Sequence, residues 1–268
     1  MNLELTQRAL ELMEEEKWFE AQNVLKEAAE KNPCCESYNN MGVFYIDNGA
    51  QFENDAETDA VKRGYEYLKA AYDCDIEYKN LIALAEYNYY YGSSQKACEF
   101  YKKASEIKED YRIYNNMGCC CYALKGYVKA CIYFDKALKT ADKNTDDIKI
   151  SYCYALNKCK EDYSEILESI SNDSKNELDR FILYFMANNM EKAYLLAEKV
   201  IEKWEFNTSV LAMLYECIEK NNVMALNKFD KEVLGLINTS AKRKKLIEEY
   251  EYVPVMLWQC KYIGCKKH

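Results

Sequence analysis

Apolar residues recur three or four positions apart over most of this chain, which is the spacing of amphipathic helices. In residues 127–138, for example, Ala130, Phe134 and Ala137 fall on one helical face. The same arrangement occurs at three earlier places: Ala21, Leu25 and Ala28; Gly64, Leu68 and Ala71; and Ala97, Tyr101 and Ala104. Two prolines and eight glycines in 268 residues are too few turn residues for an all-β fold. The pattern therefore predicts an all-α protein.

The helical pattern also repeats with a fixed period. Gly64, Ala97 and Ala130 are spaced by 33 residues and occupy the same place in successive second helices. The sequence Asn-Asn-Met-Gly appears twice in first helices, ending at Gly42 and Gly118. Small residues at these places allow two antiparallel helices to approach closely, so the pattern predicts stacked helical hairpins.

This combination of period and small residues resembles the tetratricopeptide repeat family, whose period is about 34 residues. Residues 1–144 resemble about four such repeats, and an insertion near residues 50–60 resembles the Sel1-like variant. Residues 145–240 resemble degenerate repeats that continue the array, and residues 241–268 form a predicted capping helix and tail. The resemblance implies a right-handed α-solenoid of antiparallel helix hairpins, a superhelix with a concave groove.

The C-terminal half departs from the regular pattern. Its small or apolar anchor positions, Ile166, Ala193 and Ala225, are unevenly spaced. After the polar segment 171–176, a separate helical domain remains an alternative to a continuous solenoid. A last helix is predicted from Ala241 to Tyr252, because the residue before a proline avoids helical geometry and Pro254 follows. The apolar tail 255–263 either caps the last repeat or is an exposed anchor for a partner or a second copy.

The resemblance also implies where a partner would bind. In the family the first helix of each hairpin lines the groove, and its groove-facing asparagine lies two residues before the small residue. Asn40 and Asn116 hold that position here. An amide can both donate to and accept from a peptide main chain, although each asparagine could instead bond to a neighbouring hairpin. Helical spacing from these asparagines adds further candidates: Val43, Asp47, Lys79, Glu86, Tyr90, Arg112 and Cys119.

Charge and composition narrow the class of protein. The net charge of −9 disfavours a general nucleic-acid-binding surface. The first residues lack the pattern of a signal peptide, and no apolar stretch is long enough to cross a membrane, so a cytoplasmic protein without membrane contact is expected. Thirteen cysteines, an odd number lying mostly in helical stretches, indicate reduced thiols that pack as small apolar residues. The abundance of Lys, Asn, Ile and Tyr suggests a bacterial source.

The residues needed for common catalytic and metal sites are not assembled in the sequence. The one histidine is His268, which argues against histidine-based nucleophilic catalysis. Adjacent helical cysteines such as Cys119 and Cys120 point about 100° apart and cannot share one ion. Cys260, Cys265 and His268 supply three ligands without the paired spacing of a closed zinc site. We therefore expect no cofactor, no metal and no enzymatic activity.

These observations favour a scaffold or adaptor that binds a protein or an extended peptide in its groove. The alternative is a regulatory protein of the helical-repeat type that senses a signalling peptide or another ligand. Self-association through the tail is a further expectation for the apolar residues 255–263.

Overall fold

The computed structural model describes residues 2–48, 57–142, 145–201, 207–221 and 231–266. Within these ranges the chain contains fifteen α-helices, one 3₁₀ helix and no β-strand. The predicted all-α fold class is confirmed. None of the helices in these ranges is both long and apolar enough to cross a lipid bilayer.

The chain divides into two compact units. Unit 1 comprises residues Met1–Gly126 and Met256–His268, and unit 2 comprises Tyr127–Val255. The division falls in the turn of the fourth predicted repeat, and the last residues of the chain belong to unit 1.

Within its described residues, unit 1 contains seven helices, of which the first six pair as hairpins. In order they are α1 (Asn2–Glu14), α2 (Trp18–Lys31), α3 (Cys35–Asn48), α4 (Glu57–Cys74), α5 (Tyr78–Tyr91), α6 (Ser94–Ile107) and α7 (Tyr111–Ala123). Helices α1 and α2, α3 and α4, and α5 and α6 pack as pairs, and α6 packs on α7. The odd-numbered helices α1, α3 and α5 also contact one another in succession, which places the first helices of the repeats side by side.

Unit 2 contains the remaining helices. They are α8 (Tyr127–Thr140), α9 (Asp146–Cys159), α10 (Ser164–Glu168), a 3₁₀ turn (Ser174–Asn176), α11 (Glu177–Met186), α12 (Met190–Val200), α13 (Thr208–Asn221), α14 (Lys231–Ile237) and α15 (Ser240–Glu248). The pairs α8 and α9, α11 and α12, and α13 and α15 pack against each other.

The predicted anchor positions form the core of the hairpins. All twelve residues of the four second-helix sets are buried, and Ala97, Tyr101 and Ala104 are completely inaccessible to solvent. The closest approach is between α3 and α4. A Cβ on Gly42 would lie 2.8 Å from the Gly64 carbonyl oxygen, and a Cβ on Gly64 would lie 2.6 Å from Ile46 Cγ1. The small residues are therefore required by the helix spacing, as the repeat pattern predicted.

Helix α15 ends earlier than the sequence predicted. It ends at Glu248 instead of continuing to Tyr252. The following residues leave the helix because their rings pack on α9: Tyr252 stacks on Tyr154 at 3.7 Å between ring centroids, and the Tyr250 hydroxyl lies 3.4 Å from that of Tyr154. Burial of these aromatic rings outweighs the helical continuation that Pro254 alone would have permitted.

The anchor predicted at Ile166 lies one residue from the core position in the structure. Ile166 is half-buried, and the neighbouring Leu167 fills the core position of the short helix α10. Most of the predicted insertion lies outside the described residues, although α4 already begins at Glu57. Ala225 lies outside the described residues as well.

Candidate functional site

The first helices of unit 1 hold an extended segment of the same chain. We call residues 256–266 the tail, and we call the surface of α3, α5 and α7 that contacts it the groove. The tail contacts α7 at Leu257, then α3 and α5 at Lys261, and α3 again at Ile263. It therefore runs from the fourth repeat back towards the first, opposite to the order of the repeats.

Two asparagines bind the main chain of the tail in the same way. Asn116 Oδ1 accepts the Leu257 N–H at 2.8 Å, and Asn116 Nδ2 donates to the Leu257 carbonyl at 3.1 Å. Asn40 Oδ1 accepts the Ile263 N–H at 2.8 Å, and its Nδ2 donates to the Ile263 carbonyl at 2.9 Å. Each amide thus satisfies both main-chain groups of one residue, which requires an extended segment but no particular side chain.

The spacing of these two contacts matches the helices beneath them. Leu257 and Ile263 are six residues apart, a distance of roughly 20 Å in extended chain. Helices α3 and α7 are separated by α5, and packed helices lie about 8–10 Å apart. An extended segment therefore reaches every second repeat at six-residue intervals. In the intervening repeat the equivalent position is Ala83, which has no side-chain amide.

A polar network positions Asn40. Thr6 of α1 accepts a hydrogen bond from Asn40 Nδ2 at 3.2 Å, so this asparagine also makes the inter-hairpin bond that the sequence left as an alternative. Asn39 Nδ2 donates to Asn40 Oδ1 at 3.1 Å and to the Lys261 carbonyl at 2.8 Å. Asn80 of α5 donates to Asn39 Oδ1 at 3.2 Å. Because these side chains are buried and bonded, they fix the amide that faces the tail.

The centre of the groove holds a charge cluster around a buried lysine. Lys261 Nζ lies 2.9 Å from Asp47 Oδ1 of α3 and 2.8 Å from Glu86 Oε1 of α5. The lysine side chain is only 6% exposed. Burial by itself would lower the pKa of Lys261, but the two carboxylates outweigh it and hold that pKa above its ordinary value. The groove therefore binds this side chain as a cation.

Two other predicted residues border the same cluster. Val43 and Tyr90 line a cavity of about 310 Å³ that also includes Asp47, Glu86 and Lys261. Tyr90 is 60% exposed, so its ring is available at the surface of the groove. This cavity leaves room beside the lysine ammonium.

Lys79 also contacts the tail. Its Nζ donates to the Tyr262 carbonyl at 2.8 Å.

The remaining two predicted residues occupy supporting positions. Arg112 donates two hydrogen bonds to Asp110 at the start of α7, at 2.9 and 2.6 Å. Cys119 is fully buried, and its sulfur accepts from Asn115 at 3.7 Å. Five of the nine predicted positions, Asn40, Asp47, Lys79, Glu86 and Asn116, thus contact the tail directly.

Sequence reasoning missed four participants, which are Thr6, Asn39, Asn80 and Lys261. Asn39 was visible as the first residue of the repeated Asn-Asn pair, which could have marked it. Thr6 carries no signal beyond its place on α1. Lys261 was unmarked because the tail was expected to cap the last repeat or to be an exposed anchor, and the structure instead places it in the groove of unit 1. The contacts of the tail join residues more than 140 positions apart, which no local pattern encodes.

No three histidine, cysteine, aspartate or glutamate side chains in the described ranges are grouped so that they could hold a metal ion. His268, part of the weak zinc pattern in the sequence, lies outside those ranges. All thirteen cysteines are free thiols.

Comparisons with known proteins support the fold. No protein-family model and no curated protein sequence matches this chain. Among solved structures, the chain is similar to one from Pseudomonas aeruginosa reported in a functional characterisation of pilF, with a TM-score of 0.52 and 16% sequence identity. The similarity covers 93% of this chain and 97% of the other. At this identity the match establishes a helical-repeat fold of the tetratricopeptide type and nothing finer.

Proposed function

We propose that this protein is a non-catalytic scaffold that binds an extended segment of a partner protein in the groove of unit 1. Its fold supports a role in protein interaction. The observation that carries the proposal is the pair Asn40 and Asn116, each hydrogen-bonded to both main-chain groups of one residue in an extended segment. A surface that can hold one extended chain in this way can hold another.

The proposed division of labour follows from the chemistry of the groove. Hydrogen bonds to a main chain supply affinity without reading the sequence, and side-chain sites between them supply selectivity. Asp47, Glu86 and Lys79 are the charged groups between the two asparagines. Val43 and Tyr90 add apolar and aromatic surface beside them. Arg112 and Cys119 act in this proposal as supports for α7.

A site-specific crosslink tests the location of the binding surface. A photo-crosslinking amino acid placed at Tyr90 in the full chain, expressed in the source cells, should capture a defined partner. The matched control carries the same amino acid at Ile107, which ends α6 and is 54% exposed. Capture of the same partner at both positions, or at Ile107 alone, would contradict binding in the groove.

The asparagines provide the second test. Asn40→Ala combined with Asn116→Ala removes four main-chain hydrogen bonds, each worth about 0.5–1.5 kcal/mol net. The tail is held by the same four bonds, so the comparison is made in chains that also carry Lys261→Glu, which weakens the hold of the tail. In that background the yield of the Tyr90 crosslink should fall about tenfold or more. Asn88→Ala is the control, because that buried side chain donates to the Leu84 carbonyl of its own helix. Undiminished crosslinking in the double variant would exclude the asparagines as partner-binding residues.

A further inference from the structure

The tail occupies the groove as a peptide would. Its main chain is held at Leu257 and Ile263 by the two asparagines, and at Tyr262 by Lys79. The contacts at both ends use main-chain atoms that every amino acid except proline offers. Among the described side chains of the tail, Lys261 makes the ion pairs, with its ammonium between Asp47 and Glu86. Tyr262 packs on an apolar cluster that includes Val43 and Ala83, and the Cys260 sulfur lies 3.9 Å from Lys79 Nζ. The charge that the groove requires of its occupant is therefore a positive one at its centre.

The charges of tail and groove are complementary. Residues 256–266 contain two lysines and no acidic residue. Lys261 is the buried one, whereas Lys266 is exposed. An uncharged or acidic side chain at the central position would lose both ion pairs, to Asp47 at 2.9 Å and to Glu86 at 2.8 Å, and an acidic one would also repel these two carboxylates. The groove thus favours an extended segment with a basic residue.

Several features make the tail an imperfect occupant. Gln259 is 3% exposed, yet neither its amide oxygen nor its amide nitrogen has a hydrogen-bond partner among the described residues. The Tyr262 hydroxyl is also buried and unpaired within that part of the chain. Buried unpaired polar groups weaken association.

The cavity beside Lys261 also indicates that the tail is an imperfect occupant of the groove. Lys261, Asp47, Glu86 and Tyr90 all line this cavity of about 310 Å³. A wider basic group such as a guanidinium could fill this space and contact both acids. A segment that fills the cavity and avoids the unpaired amide of Gln259 would bind better than the tail does.

Resting on the proposed function, we propose that the groove receives an extended peptide with a lysine or arginine between Asp47 and Glu86, and that the tail is an intramolecular competitor for that peptide. The tail holds the groove closed until a better-fitting segment displaces it. Tethering gives the tail an effective concentration in the millimolar range, so even a weak occupant excludes weak ligands.

The test uses the full chain and three synthetic peptides labelled with fluorescein. One peptide has the sequence of residues 255–266, the second has methionine at the position of Lys261, and the third has the same residues in scrambled order. The releasing variant is Lys261→Glu, which places a third carboxylate beside Asp47 and Glu86. Lys266→Glu is the matched control, because it makes the same charge change at an exposed tail residue. Fluorescence anisotropy under reducing conditions gives each Kd.

We expect Lys261→Glu to bind the lysine peptide about 10- to 100-fold more tightly than the wild-type chain or Lys266→Glu. The methionine peptide should bind that variant at least about tenfold more weakly than the lysine peptide. Adding Asp47→Asn and Glu86→Gln should abolish this preference. Equal affinity of wild type and Lys261→Glu for the lysine peptide would overturn the inference that the tail competes for the groove. Equal affinity of Lys261→Glu for the lysine and methionine peptides would overturn the inference that the groove selects a basic residue.

Failure of the proposed function would have a different signature. In that case a folded Lys261→Glu chain, verified by circular dichroism, would bind none of the peptides or would bind the scrambled one equally well. If Lys261→Glu does not fold, hydrogen exchange of the wild type decides the question. Excess lysine peptide should accelerate exchange at the Leu257 and Ile263 amides, and unchanged exchange would overturn the competitor. A wild-type dimer that exchanges tails between copies would overturn it too.

Discussion

Asn40 and Asn116 each bind one residue of the tail through two side-chain atoms. The amide oxygen accepts from the main-chain N–H, and the amide nitrogen donates to the main-chain carbonyl. An aspartate at either position could accept from the main-chain N–H but could not donate to the carbonyl. The repeated Asn-Asn-Met-Gly sequence also places each asparagine two residues before a glycine. The same local sequence therefore fixes both the close packing of the helix and the polar group that faces the tail.

Packing at Gly42 and Gly64 gives the first prediction. Gly64→Ala should destabilise the protein by about 1–3 kcal/mol, because the new Cβ would meet Ile46 and the Gly42 carbonyl oxygen. Gly235→Ala is the control, since a Cβ there meets no atom within 4 Å and the residue lies in α14. That substitution should be neutral or stabilise by up to about 1 kcal/mol. Denaturant unfolding measures both, and equal effects would contradict the close approach.

Acid sensitivity at the start of α7 gives the second prediction. Asp110 caps the helix by accepting from the Arg112 N–H at 2.9 Å, and it also binds the Arg112 guanidinium. Burial alone would raise the pKa of Asp110, but the hydrogen bonds and charge of Arg112 outweigh it and lower that pKa. A depressed carboxyl pKa contributes stability above the unfolded-state pKa, and this stability is lost as pH falls through the folded-state pKa.

Asp110→Asn should therefore reduce stability at pH 7 by about 1–2 kcal/mol, since the charged interaction is lost while the cap remains. The difference from wild type should shrink as pH falls below about 4, where the aspartate becomes protonated in the unfolded chain. Thermal unfolding at several pH values measures this. A difference that stays constant from pH 7 to pH 3 would show that the charge contributes nothing.

At the scale of elements, the tail is the segment whose position depends on the helices of unit 1. It has no helix or strand of its own and is held by hydrogen bonds from α3, α5 and α7. Because the paired main-chain bonds to Asn116 and to Asn40 are six residues apart, we expect them to be lost separately. This separation makes the tail a pair of local attachments joined by the buried Lys261.

Asn116→Ala should free the beginning of the tail while leaving its end attached. We expect exchange of the Leu257 amide to accelerate about tenfold or more, because its acceptor is removed and a net hydrogen bond is worth about 1 kcal/mol. The Ile263 amide, bound to Asn40, should change much less. Hydrogen exchange with mass spectrometry resolves the two. Equal acceleration at both amides would indicate that the tail detaches as one unit.

The elements differ in how far the sequence could predict them. Sets such as Ala97, Tyr101 and Ala104 predicted the core faces correctly because helical spacing is a local property. Asn40 and Asn116 could be placed on the inner face for the same reason. The tail could not be placed, because residues 255–263 have no periodicity and their partners are distant in sequence. The end of α15 was wrong because stacking of Tyr252 on Tyr154 is a tertiary contact.

At the scale of the whole molecule, the cysteines are distributed through both units mainly as packing residues. Cys119 and Cys120 in unit 1 and Cys153 and Cys217 in unit 2 are fully buried. Burial raises the pKa of the Cys153 thiol to about 12 and that of Cys217 to about 11. Neutral, inaccessible thiols react slowly, so these residues pack as small apolar groups.

Alkylation of the native protein should therefore distinguish the thiols. Cys74, which is exposed at the end of α4, should react with iodoacetamide first. Cys119, Cys153 and Cys217 should stay unmodified until the protein unfolds. Mass spectrometry of timed samples at pH 8 measures the order. Modification of Cys153 or Cys217 as fast as Cys74 would contradict the packing of unit 2.

The place of the tail has a consequence for any search for binding proteins. A bait made of the unaltered chain presents a surface that is already filled, so weak interactors would be under-represented among the proteins it recovers. A bait carrying Lys261→Glu, with Lys266→Glu run in parallel, would present the same asparagines without the tail bound to them. Proteins enriched by the first bait over the second would be the ones to pursue.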